Sequence, residues 1–145
     1  MRGIVKSINM SVRRGMRKEP VDRAFLRAGY GIEGDAHGGE ASRQISLLAW
    51  EKIPAASLYL KPGDFAENIT TEGIDLSGLK IGDILRIGSA EVRITKIGKE
   101  CHAPCGIFRQ LGTCIMPQKG IFAAVTKSGE VKRGDEIQSR HHNNK

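Results

Sequence analysis

The chain is poor in sulfur and aromatics, and it has no long apolar run. Of 145 residues three are cysteine, and aromatics make up 5%. No stretch approaches the roughly 20 apolar residues of a membrane span, so no membrane association is expected. The opening MRGIVKSINM lacks the apolar run of a secretory signal. An odd cysteine count without an export signal argues against a disulfide framework and for a reducing, cytoplasmic setting. Scarce aromatics leave few platforms for stacking bases, which disfavours nucleic acid as a partner.

What is present in excess is positive charge, and it is unevenly placed. The net charge is +7, and residues 1–30 hold eight Lys/Arg against two Asp/Glu. The excess centres on VRRGMRKE, with Arg13, Arg14, Arg17 and Lys18. Such a run reads either as a solvated basic loop or as an electropositive rim that draws in an anion. With stacking residues scarce, a compact phosphorylated ligand ranks above nucleic acid.

Glycine is also abundant, at 18 residues. It punctuates short apolar segments: GIVKSINMSV, DRAFLRAGYGI, RQISLLA, DILRIG, AEVRITKIG, GIFAAVTKSG and DEIQ. These read as strands. Gly-Asp occurs four times, at Gly34-Asp35, Gly63-Asp64, Gly82-Asp83 and Gly134-Asp135. Glycine supplies positive φ and aspartate bonds the turn backbone, so each pair is expected to re-aim the chain. Helical signal is sparse, confined to SLLAWEKIPAASLYL and HAPCGIFRQLG. Many short strands joined by glycine-rich turns predict a mainly β fold, a closed or nearly closed β-barrel with a few short helices. One domain over residues 1–138 is expected, with 139–145 a frayed polar tail.

All three cysteines fall in GKECHAPCGIFRQLGTC, at Cys101, Cys105 and Cys114. With His102 they reach the ligand count of structural zinc, although adjacent Cys101 and His102 rarely face one ion. Each cysteine taken singly could instead be a buried apolar residue, and Cys114 beside Ile115 and Met116 fits that best. Cys105 differs. It follows Pro104 and precedes Gly106, with Lys99, His102 and Arg109 close in sequence. The first turn of a short helix there would stabilise a thiolate, able to ligate a soft metal or accept sulfur as a persulfide.

The ordered segments GIEGDAHGG, RQISLLAWE, PGDFAENITTEGIDLSGLKIGDILRIGSAEVRIT, CHAPC and GIFAAVTKSGEVKRGDEI resemble the MOSC domain family, from about Gly3 to Ile137. The family is named for the C-terminal domain of molybdenum cofactor sulfurases and also occurs as small standalone bacterial proteins. The resemblance implies a barrel-like β fold and binding of the molybdenum cofactor, a phosphorylated pterin dithiolene (molybdopterin). It implies that Cys105, after Pro104, is the functional thiol, carrying sulfur or ligating molybdenum. A cysteine desulfurase or a molybdoenzyme is the implied partner. Pyridoxal phosphate is not expected. Some members of the family reduce N-hydroxylated compounds, which stands as an alternative, as does a zinc-stabilised or nucleic-acid-binding barrel. Cys101 and Cys114 are thiols beyond the simplest pattern, and Cys101 is a candidate helper to Cys105.

Three further residues are cofactor-contact candidates. His37 lies among glycines that let backbone approach a ligand, with Asp35 beside it, or else is an exposed histidine in a flexible turn. Arg43, before an apolar strand, carries a planar fork suited to phosphate, or else forms a surface ion pair. Asn68, in FAENIT, can donate to and accept from a pterin amide edge, or else closes a bulge or turn.

Overall fold

The first strand, β1 (Arg2–Met10), organises the rest because it is paired along both edges. The computed structural model describes residues 1–13, 17–40, 43–52, 61–98 and 120–140. Within them follow β2 (Glu19–Val21), β3 (Arg23–Arg27), β4 (Gly31–Ile32), β5 (Ile45–Ala49) and β6 (Ile69–Glu72). Then come β7 (Ile84–Ile87), β8 (Ala90–Ile97), β9 (Ile121–Lys127), β10 (Gly129–Lys132) and β11 (Glu136–Arg140). Helical geometry among the described residues is limited to single 3-10 turns at Trp50–Lys52 and Leu76–Gly78.

The strands close on themselves in the order β1, β11, β7, β8, β9, β5, β6 and back to β1, a seven-stranded barrel. Neighbours are antiparallel except β5 and β6, which run parallel. Strand β2 continues the ladder on the far part of β1, and β10, β3 and β4 form a small second sheet. Closure leaves the barrel no unpaired edge. Val5, Ile8, Leu47, Ile69, Leu85 and Val92 fill its interior and are fully buried. Each such side chain contributes about 1.5–3 kcal/mol through apolar burial.

The expected mainly β barrel is therefore what the chain forms. In β8, Val92 and Ile94 point inward and Arg93 outward, as alternation requires. The register shifts between Ile94 and Lys96, and Ile97 at the strand end is exposed. The helix expected around SLLAWEKIPAASLYL is strand up to Ala49 and a single 3-10 turn to Lys52, with 53–60 outside the described residues. Of the tail expected over 139–145, Ser139 and Arg140 pair with Leu85 and Ile84, and 141–145 lie outside the described residues. No helix among the described residues is long and apolar enough to cross a membrane.

The Gly-Asp pairs are turns, and their glycines all have positive φ, from 89° at Gly34 to 98° at Gly82. Three share the pattern Lys-x-Gly-Asp. The backbone N–H groups of Lys61, Lys80 and Lys132 donate to Oδ2 of Asp64, Asp83 and Asp135, at 3.0, 2.9 and 2.8 Å. In each, the aspartate N–H returns to the lysine carbonyl, at 3.0–3.1 Å. A carboxylate closing its own turn in this way is a local device. The fourth pair, Gly34-Asp35, keeps the backbone bond, from Asp35 N–H to the Ile32 carbonyl at 3.2 Å, but its carboxylate goes elsewhere.

Candidate functional site

The chain leaves β1 at Ser11, and the described residues resume at Arg17, ahead of β2. Lys18, read from sequence as part of an exposed basic run, is fully buried, whereas Arg13 is exposed. The physical reason is a carboxylate 17 residues on. Lys18 Nζ lies 2.8 Å from Asp35 Oδ1, and both side chains are closed to solvent. The same nitrogen reaches Ser11 Oγ at 3.2 Å and His37 Nδ1 at 3.2 Å. An ammonium has three protons; Asp35 Oδ1 and Ser11 Oγ accept two of them, and His37 Nδ1 lies within reach of the third. Ser11 suits the role because its own proton goes to the Arg13 carbonyl, at 2.9 Å.

Asp35 is equally committed. Oδ1 accepts from Lys18 and from the Ser11 N–H at 3.1 Å, and Oδ2 accepts from the His37 N–H at 3.1 Å. Burial by itself would raise the Asp35 pKa. Hydrogen bonds from the His37 backbone N–H and the Lys18 ammonium, together with the Lys18 charge, outweigh it and hold the carboxyl well below the ordinary carboxylate range. Burial lowers the Lys18 pKa from the usual lysine value, while the Asp35 hydrogen bond and charge oppose that shift.

His37 completes the group at the surface, with its side chain 17% exposed. Its loop is fixed by the Ala36 N–H on the Ser11 carbonyl at 2.8 Å and the Gly39 N–H on the Tyr30 carbonyl at 2.7 Å. The Tyr30 ring packs against Gly38, where a Cβ would force the ring to shift.

A second buried polar network lies alongside. The Gly63 N–H and Thr70 hydroxyl donate to Glu67 Oε2, at 3.0 and 2.8 Å, and the Phe65 N–H to Oε1 at 3.2 Å. Burial raises the Glu67 pKa despite these donors. The Glu67 charge also acts favourably on Lys18, so the two networks are electrostatically joined. Asn9 Nδ2 donates to the Glu67 carbonyl at 3.1 Å and to Thr70 Oγ1 at 3.0 Å, and its Oδ1 accepts from Ser7 at 2.7 Å.

Asn68 belongs to this second network. It is fully buried, its Oδ1 accepts from the Ser46 N–H at 3.0 Å, and its Nδ2 donates to the Asn9 carbonyl at 3.2 Å. It thus ties β1 to β5 at the start of β6. Arg43 is partly exposed and lies 3.8 Å from Glu40. Asp35 and His37 come together as their spacing suggested, and Arg43 joins their loop through Glu40. Cys101, His102, Cys105 and Cys114 lie outside the described residues. Lys18, Ser11 and Asn9 were not anticipated. Nothing local marks Lys18 out from Arg13 or Arg17, because its burial depends on Ser11, Asp35 and His37.

At the other end of β6 a cavity of about 590 Å³ opens among Ala49, Glu51, Ile74, Leu76, Leu79, Ile97 and Ile121. The cysteine-bearing segment is rooted at this end, where the Gly98 N–H meets the Gly120 carbonyl at 2.8 Å. Among the described residues no group of three or more His, Cys, Asp and Glu could hold a metal ion.

A model of the MOSC domain family matches residues 33–138. The fold superposes on the YuaD protein of Bacillus subtilis with a TM-score of 0.80 at 20% identity, over 99% of this chain and 98% of that one. It also superposes on YiiM of Escherichia coli, with a TM-score of 0.71 at 21% identity over 100% and 72% of the two chains. For YiiM of Geobacillus stearothermophilus the TM-score is 0.74 at 19% identity, over 96% and 75%. At these identities the likeness establishes the fold. Among curated proteins none matches the sequence significantly.

Proposed function

Because the chain belongs to the MOSC domain family, by the match over residues 33–138, we propose that it binds the molybdenum cofactor and handles that cofactor or its sulfur through Cys105. The family is associated with molybdenum cofactor binding or sulfur handling. The observation that carries the reading in this chain is the Lys18–Asp35–His37 group, built inside a glycine-rich loop and reaching solvent at His37.

The residues present suit an anionic pterin phosphate. The buried Asp35 carboxylate is paired with the Lys18 ammonium, so its charge is not left unbalanced beside a phosphate. His37 offers a partly exposed ring, and Arg43 a guanidinium held only at 3.8 Å by Glu40. Among the described residues Arg17 Nε, next in sequence to Lys18, is buried without a hydrogen-bond partner.

Bound cofactor would supply a metal centre that takes sulfur ligands. Of this chain's own residues, His37 and Arg43 would hold its oxygens and Asn68 would keep the loop ends in register. Cys105 would be the thiol, and Cys101 would resolve an oxidised or persulfidated Cys105 by exchange. A reducing cytoplasm keeps such thiols free, and a cysteine desulfurase or a molybdoenzyme would be the partner in sulfur traffic.

The test is elemental analysis with pterin fluorescence on protein made in a cofactor-competent host. Molybdenum accompanied by pterin, lost in Cys105→Ser, supports the reading. Zinc at one per chain without pterin contradicts it.

A further inference from the structure

His37 Nδ1 has two neighbours that ask opposite things of it. Lys18 Nζ, at 3.2 Å, is a donor and needs Nδ1 to accept. Asp35 Oδ2, at 3.7 Å, is an acceptor and would need Nδ1 to donate. The distances favour Lys18, and so does the proton count. Among the described residues Lys18 has Asp35 Oδ1 and Ser11 Oγ for two of its protons and His37 Nδ1 for the third. Asp35 Oδ2 already accepts from the His37 backbone N–H. With Nδ1 an acceptor, the proton of the neutral ring must sit on Nε2, which has no partner among the described residues.

We propose that Lys18 is a positioning residue that fixes His37 as the Nε2–H tautomer and so turns its free nitrogen into a hydrogen-bond donor. The proposal deepens the cofactor reading and rests on it for the ligand's identity: the group received at His37 is an oxygen acceptor, such as a phosphate or carbonyl, and not a metal. A metal would need the Nε2 lone pair, which the proton occupies. A lysine at full burial is costly unless its partners are all in place. Here they are, and the arrangement transmits the Asp35 charge through Lys18 to the orientation of one imidazole proton.

The experiment is the long-range proton–nitrogen correlation spectrum of protein carrying 15N-histidine, with the His37 ring in its neutral form. The parent should show the Nε2–H pattern for His37. In Lys18→Met the ammonium is gone and Asp35 Oδ2 becomes the acceptor left to Nδ1, so the pattern should move toward Nδ1–H. Lys18→Arg, which keeps a donor, should keep more of the Nε2–H form. An Nδ1–H pattern in the parent would overturn the proposal, and so would an unchanged pattern in a folded Lys18→Met. If Lys18→Met does not fold, the parent spectrum decides alone. The spectrum needs no cofactor, so a correct tautomer in protein that never retains pterin would sink the functional reading and leave this inference standing.

Discussion

The turns at Gly82-Asp83 and Gly34-Asp35 use the same two residues and the same backbone bond, yet they do different work. At Gly82 the carboxylate folds back on the Lys80 N–H, and the turn is complete within four residues. At Gly34 the carboxylate of Asp35 ignores its own turn and binds Ser11, Lys18 and His37, drawing three separate stretches of chain together. A local motif therefore sets where the chain bends but not what its charged group does. The second task depends on a buried ammonium brought in from outside the turn.

The largest way to break the comparison is to remove that ammonium. Lys18→Met leaves Asp35 buried without its counter-charge and should cost about 3–5 kcal/mol of stability, measured by denaturant unfolding. Asp83→Asn, in the ordinary turn, gives the scale against which to judge it.

The glycines sharpen the contrast next. Gly82→Ala meets open space and should cost only the left-handed strain of about 1–2 kcal/mol. Gly63→Ala has similar φ, but its Cβ would come within 2.1 Å of the Lys18 carbonyl oxygen, so the segment carrying Lys18 would have to shift. It should cost clearly more than Gly82→Ala, and equal melting temperatures would show that Lys18 is not held from this side.

Acid separates the two networks by sign. The folded Asp35 pKa is depressed below an unfolded value of about 3.9, so its contribution is complete above that value and is lost as pH falls through it toward the folded pKa. Glu67 behaves oppositely. Its folded pKa is raised, so it costs stability as pH rises from its unfolded value of about 4.3 through the folded one. Unfolding curves across the acid range should show Asp35→Asn losing part of the acid sensitivity and Glu67→Gln gaining stability at neutral pH relative to acid. The smallest effect is expected for Asp83→Asn, about 1 kcal/mol for one turn hydrogen bond.

Much of the barrel was legible because its signals are local. Seven apolar segments became strands, and the glycine of each Gly-Asp pair has the positive φ its turn requires. What was missed is short or contextual. Strand β2 is three residues, Glu-Pro-Val, with no alternation to read. Strand β10 hides inside the run after β9, separated only by Ser128. In the site, His37 and Asp35 stood out through their glycines. Lys18 did not, because charge runs are ordinarily solvated and nothing nearby in sequence announces burial. Asn68 was noticed as polar in an apolar stretch, but its partners Ser46 and Asn9 are 22 and 59 residues away.

The measurement that bears most directly on the account compares pterin bound per chain in His37→Ala and Asp83→Asn. Both are produced beside the parent in a cofactor-competent host and confirmed folded by circular dichroism. If the rerouted turn builds the cofactor site, His37→Ala should lose most of its pterin while Asp83→Asn retains the parent's amount. Equal pterin in the two variants would contradict the account and move the site away from the Lys18–Asp35–His37 group.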